Sequence, residues 1–241
     1  TPEDGGAILL YGAGVLEGVT FDGKPYGVWI YNSYRGFFYR PSEMAELGFK
    51  QPPETWNDFM KLGEAAKASL ITSIAMFYDL EDPVGFAREI RSVLSKRGVW
   101  ILEMSYMPKM LELDSYDTIC HEHLEFYSLA VLEKILAKGG MKIFKISFND
   151  INGGSIRCYA THKDNSKHDK KENYQLINEI RHKEFDLELD TDKPYVSFQQ
   201  RIEKLKVELH DLLVKLKKEG KKVHIYGAST KGNTILQWCD I

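Results

Sequence analysis

Only three of the 241 residues are cysteine, Cys120, Cys158 and Cys239, and they are widely spaced with no CxxC pair. That scarcity argues against a disulfide framework or a cysteine-based zinc site and fits a reducing cytoplasm. No apolar run reaches the roughly 18–20 residues of a membrane span, and the opening TPEDGG lacks the basic start and apolar stretch of a secretory signal. Neither sign of charge dominates, with 32 Lys and Arg against 35 Asp and Glu, a net −3. So even a balance gives no general attraction to phosphate backbones or anionic membranes, and neither nucleic acid nor membrane is expected as a partner. What is present, 43% hydrophobic and 28% charged residues, is the mixture of an ordinary folded chain, long enough for one core or two small ones.

The first third reads as strands and turns. AILLY and VTFDGKPYGVWIY are rich in β-formers, and Asp22-Gly23 between them is a hairpin signal. Trp29, Tyr31, Tyr34, Phe37, Phe38 and Tyr39 crowd this region, as a buried strand pair would, or as a face on which sugar rings stack. Pro52 and Pro53 break the pattern, and Thr55 caps a short helix predicted over 56–67.

From Leu70 short apolar strands alternate with amphipathic helices, which predicts an α/β fold with a parallel sheet flanked by helices. Strands are expected over 71–77 and 99–104. Asp82 as N-cap and Pro83 at the first helical position open a helix whose stripe, Phe86, Ala87, Ile90, Val93 and Leu94, is expected to end at Gly98. A second helix should run over 129–138 from the Ser128 cap to Gly139 and Gly140. MKIFKISF and SIRCYATH, separated by NDINGG, predict a hairpin that ends the sheet with antiparallel strands. Residues 163–194 read as a polar helical linker, and 195–219 as a long helix whose apolar stripe suits packing on another domain or oligomerisation. VHIYGASTKGNTILQW then has the strand, turn and helix start of a second α/β domain. The expected divisions are therefore 1–69, 70–162, 163–220 and 221–241.

The densest set of reactive side chains is Tyr116-Asp117-Thr118-Ile119-Cys120-His121-Glu122-His123. A histidine accepts a proton near neutral pH and a carboxylate stabilises the resulting cation, so this trio suits proton abstraction beside a carbonyl. In an extended strand the two histidines would face away from Glu122, so convergence requires a bend. In a surface loop the same residues would be ordinary hydrogen-bonded side chains. His-x-His supplies only two metal ligands and nothing nearby completes a tetrahedral site, so no metal is expected. In NDINGGSIRCYATH, Gly153 and Gly154 permit a close backbone approach to a ligand and Arg157 offers a forked donor, although a plain turn uses the same glycines. GASTKGN, 227–233, runs into a helix N-terminus that suits an anion but lacks P-loop spacing, since Lys231 precedes Gly232. GAGVLEG, 12–18, is a weak nucleotide-loop signal because no helical pattern follows it.

Taken in order, ITSIAMFYDLEDP, GVWILEMSYMPKML, YDTICHEHLEFYSL, the INGGSIRCY segment and YGASTKGNT resemble the sugar C-methyltransferases that act on nucleotide-linked keto-deoxysugars. The resemblance covers residues 70–241. It implies a class I, Rossmann-like methyltransferase sheet, here incomplete, with S-adenosylmethionine at the carboxyl ends of the strands beside Phe77, Tyr78 and Asp82. It implies substrate contacts from Asn152, Gly153, Gly154, Arg157, Lys231 and Asn233. It also implies that His123 removes the proton from the carbon next to the keto group, with Glu122 and His121 supporting the charge change. Cys120 stands where many relatives have tyrosine. Two features depart from the family: its glycine-rich donor loop and its cysteine-rich zinc segment are not found. Residues 15–68 instead resemble an internal piece of an extracellular sugar-binding protein of an ABC transporter. The expectation is a cytoplasmic S-adenosylmethionine-dependent C-methyltransferase, or a fragment or chimera of one that is inactive without its donor loop. The alternative is a carbohydrate-binding transporter fragment.

Overall fold

The chain divides into two units, Thr1–Ala66 and Lys67–Ile241. The computed structural model describes residues 6–9, 20–21, 24–25, 36–39, 41–51, 54–225 and 229–241. In the first unit β1 (Gly6–Leu9) pairs antiparallel with β4 (Gly36–Tyr39), and β2 (Thr20–Phe21) with β3 (Lys24–Pro25). The β2–β3 pair flanks the Asp22-Gly23 signal, whose two residues lie outside the described ones, as do Trp29, Tyr31, Tyr34 and the glycines of 12–18. Two helices follow, α1 (Pro41–Glu46) and α2 (Trp56–Ala66). The expected cap on α2 is present, with the Asp58 N–H donating to Thr55 Oγ1 at 3.2 Å.

The second unit is built on a mixed four-stranded sheet, the α/β organisation that the residue pattern predicts. Its strands are β5 (Ala68–Ile74), β6 (Leu94–Ser105), β7 (Met141–Asn149) and β8 (Ser155–His162), in the order β5-β6-β8-β7. β5 and β6 are parallel, and β8 runs antiparallel to both β6 and β7. The expected hairpin therefore forms, and it closes one end of the sheet.

Between β5 and β6 lies α3 (Pro83–Val93), whose cap is Asp82, with Oδ1 accepting the Gly85 N–H at 2.8 Å. The helix stops at Val93, five residues before the expected Gly98. Leu94 is already extended because it pairs with Ala68, and β6 begins there rather than at Val99. β5 likewise ends at Ile74 instead of Phe77. Ala75 turns to φ 54° and Phe77–Asp79 forms a 3-10 turn, which swings Phe77 inward.

α4 (Met107–Glu112) and α5 (Leu129–Lys138) follow β6. α5 begins at the expected cap, Val131 N–H donating to Ser128 Oγ at 3.3 Å. Leu129, Leu132 and Leu136 are fully buried against Trp100, Leu102, Ile156 and Cys158. Each such leucine contributes about 1.5–3 kcal/mol on leaving water. Phe77 meets Trp100 and Tyr127 edge-on or tilted at 5.7 and 5.5 Å between centroids, the geometry that ring quadrupoles favour.

α6 (Lys171–Asp186) lies within the expected polar linker, yet it buries Ile177 and Ile180 in this same core. α7 (Lys193–Lys218) is the long helix, with Phe198 and Ile202 packed on Met110 and Leu111 of α4, and α8 (Thr230–Cys239) ends the chain. The strand expected at VHIY does not form over its described residues, 223–225. Val223 and Ile225 stay exposed and have no ladder partner among the described residues, and an isolated strand has nothing to hold it.

Candidate functional site

Topology gathers several segments at one edge of the sheet. The ends of the parallel strands β5 and β6, and the turn joining β7 to β8, all lie there, because β8 begins where β6 finishes, Ser155 opposite Ser105. The segment carrying Cys120 to His123 is fastened over this edge at two points. Leu124 N–H and Glu125 N–H both donate to the Tyr78 carbonyl, at 3.0 and 3.1 Å. Further along, Tyr127 bridges to Tyr106, and the Met107 N–H donates to the Tyr127 carbonyl at 3.0 Å.

The required bend is present, with the His123 N–H donating back to the Cys120 carbonyl at 3.1 Å. It sends the three ionisable side chains in different directions. His123 Nδ1 lies 2.8 Å from the Thr118 carbonyl oxygen, which can only accept, so Nδ1 carries a proton and the acceptor of the neutral ring is Nε2. The imidazole packs on the Tyr78 ring at 4.3 Å and on Phe126 at 6.4 Å between centroids. Glu122 instead accepts from the Thr230 hydroxyl of α8 at 2.9 Å, a contact that leads the causes lowering its carboxyl below the usual range. His121 is exposed and lines a pocket of about 460 Å3 with Ile119, Cys120 and five residues of α8. The Cys120 thiol is pushed up by burial and by its bond with Glu122, so it stays protonated at neutral pH. Among the described residues no bond joins Glu122 to either histidine.

Asp79, which sequence reasoning missed, sits in the 3-10 turn next to Tyr78. Partial burial raises its carboxyl, Glu122 adds to this, and His123 opposes it. A carboxyl raised on folding favours the fold most while protonated, and that contribution is lost as pH rises through its folded value. Asp79→Asn should therefore be the more stable chain at pH 7, by less than about 1 kcal/mol given its contact with solvent. The difference should close as pH falls toward about 4, which urea midpoints at the two pH values will show.

The residues assigned to the methyl donor have other engagements. Phe77 is wholly buried, Tyr78 carries His123, and Asp82 caps its own helix. All three side chains are thus engaged within the protein, and the glycines of 12–18 lie outside the described residues.

The substrate set is split. Asn152, Gly153 and Gly154 all have positive φ, at 56°, 79° and 111°. Their close backbone approach is to the protein itself. A Cβ on Gly154 would come within 2.4 Å of Lys109 Cγ, and one on Gly153 within 3.2 Å of Ser115 Oγ. The turn thus buttresses the segment that leads to Cys120. Arg157 donates through Nε to Glu103 at 2.5 Å, and Asn149 donates to the same carboxylate oxygen at 3.1 Å. Glu103, buried on β6, was not legible as a partner because it lies 54 residues from Arg157 in the sequence. Asn233 does reach the pocket, whereas Lys231 is half-buried in the first turn of α8 and outside its lining. Gly227 of the same motif lies outside the described residues. Thr230, Thr234 and Gln237 were also missed, although with Asn233 they follow helical spacing, the one signal that would have found them.

Residues 150–241 match the family model of the C-methyltransferase C-terminal domain. The chain is also 25% identical over 174 residues to C-methyltransferase NovU of Streptomyces niveus, an alignment that takes in 72% of this chain and 40% of that protein. The sequence resembles C-methyltransferases. It spans less than half the length of that relative. Residues 4–89 match a different model, that of the bacterial extracellular solute-binding protein. That match runs past the expected limit at residue 68 and takes in β5, the 3-10 turn and most of α3. By packing, however, these elements belong to the second unit. No helix among the described residues is long and apolar enough to cross a membrane, and no cluster of ligands for a metal occurs among them.

Proposed function

We propose that the chain carries the proton-abstracting half of a C-methyltransferase acting on a nucleotide-linked keto-deoxysugar, with His123 as the base. One observation carries this reading. The Thr118 carbonyl holds the Nδ1 proton, so the Nε2 lone pair is the neutral ring's only acceptor. The Tyr78 face and the two backbone bonds to the Tyr78 carbonyl restrain the ring, which lowers the reorganisation needed at the moment of transfer. In the step assigned to this chain, the C–H bond next to the ketone breaks and the proton passes to Nε2. The electron pair is delocalised into the carbonyl as an enolate. S-adenosylmethionine, the donor that C-methyltransferases imply, supplies an electrophilic methyl group when bound. The cytoplasm is the compartment in which such a substrate and donor meet.

Proton abstraction can be read without any donor. In D2O the chain should exchange the hydrogen next to the ketone of a UDP-linked keto-deoxyhexose for deuterium, at least 100-fold faster than buffer, at the low end of what a positioned base contributes. Exchange no faster than buffer would reject the reading.

The solute-binding match over residues 4–89 supports a second reading, a carbohydrate-binding transporter fragment. It predicts binding of free sugars with no exchange at all.

A further inference from the structure

The four-stranded sheet ends differently on its two sides. β7, at one end, carries Lys142 and Lys145 and packs against α6, two common protections of a sheet edge. β5, at the other end, reads ASLITSI and has neither a charge nor a proline. Among the described residues no strand pairs with its outer side.

The ladder shows which residues face outward. Ile74 is paired with Glu103, and the Ala75 N–H donates to the Glu103 carbonyl at 2.9 Å. In a parallel pair this pattern turns the backbone groups of Ser73, and by alternation those of Ile71, toward β6. Leu70, Thr72 and Ile74 therefore turn their N–H and C=O groups away from the sheet. The side chains of these same three residues share one face and are exposed, Leu70 by 57% and Ile74 by 49%. On the other face Ser73 is buried and Ile71 packs on the core. Backbone bonding capacity and apolar surface are thus left over at the same positions.

This short run is complementary to itself. With a two-fold axis at Thr72, an antiparallel second copy brings Leu70 opposite its Ile74, Thr72 opposite its Thr72 and Ile74 opposite its Leu70. All three pairs join outward-facing residues, so about six backbone hydrogen bonds form. An axis moved by one residue keeps only two such pairs, so the side chains and the ladder select the same register. With no charge on the strand, nothing on it repels its own copy.

We infer that β5 is a self-association edge, through which two copies of this chain join their sheets into one continuous sheet. The occupant is a second copy because the edge is neutral and matches itself, and isologous two-fold pairing is the commonest form of association. The carboxyl ends of the two β5 strands then point in opposite directions. Each copy keeps its own Tyr78 and His123 segment at its own end, so the inference does not depend on the reaction proposed above.

Sedimentation equilibrium of the whole chain should show the mass of one chain near about 1 μM and of two chains near about 100 μM, the affinity of a small interface. Thr72→Lys and Thr72→Glu each set like charges across the axis, and each variant alone should associate at least about tenfold more weakly. Mixed in equal amounts they should regain the mass of two chains, which a folding defect would not allow. Hydrogen exchange read by mass spectrometry needs no variant: the amides of 70–74 should be at least about tenfold better protected at the higher concentration. A chain that stays monomeric at the higher concentration, variants that associate as the unaltered chain does, or exchange over β5 that ignores concentration overturns the inference. Association lost in Leu212→Lys but kept in both Thr72 variants also overturns it, and moves the contact to the exposed stripe of α7.

Discussion

Deuterium exchange should fall by about 10²- to 10⁴-fold when His123 is replaced by glutamine, the range a positioned base contributes. Glutamine keeps a similar volume and can still donate to the Thr118 carbonyl, so the segment stays fastened while the basic nitrogen is lost. His121→Gln is the necessary companion, because His121 lines the pocket and His123 does not. The bend sends the two rings apart, His121 toward α8 and His123 toward Tyr78 at the carboxyl end of β5. If His123 is the base, His121→Gln should retain exchange within about tenfold of the unaltered chain. If the losses are reversed, the role passes to His121 and the pocket becomes the reaction site itself. If both variants exchange normally, neither histidine is the base.

Glu184→Ala should cost about 3–5 kcal/mol. This carboxylate is buried on α6, where it accepts from the Leu129 N–H at 2.6 Å, the Ala130 N–H at 2.9 Å and the Tyr106 hydroxyl at 2.7 Å. It thus meets two of the unpaired donors at the start of α5 and, with its charge, favours that end of the helix dipole. Alanine would leave three donors in a dry site, each costing about 1–3 kcal/mol when unpaired, with partial relief if water enters. Tyr106 is also the residue that bridges to Tyr127, so the loss would loosen the far anchor of the site segment. Urea denaturation followed by far-UV circular dichroism measures the cost. Glu184→Gln should lose less, since one amide oxygen still accepts, and an alanine variant within about 1 kcal/mol of the unaltered chain would show that the contacts contribute little.

Glu184 also shows where sequence reading stops. KENYQLINEIRHKEFD looks like a solvated helix, in which Leu176, Ile177 and Ile180 hint at one packed face. A glutamate in such a stretch is ordinarily a surface charge. Its burial depends on the start of α5, 55 residues earlier, lying opposite it, and no local pattern records that. The early end of α3 has the same origin. Residues 94–98 continue an acceptable helix, yet Ala68 offers Leu94 a strand partner, and pairing overrides propensity. VHIY went the other way: its residues suit a strand, but no neighbouring strand lies alongside its described part.

By itself, the order of residues determined the alternation of strands and helices, the caps at Thr55, Asp82 and Ser128, the antiparallel end of the sheet and the reactive segment Cys120 to His123. Caps, turn residues and apolar periodicity act over a few residues, so they can be read in line. Only the tertiary structure decided that Glu122 binds Thr230, that His121 and His123 part company, and that Arg157 is held by Glu103. Each of these depends on groups between 54 and 108 residues apart, or on which way a bend turns them, and those are consequences of packing.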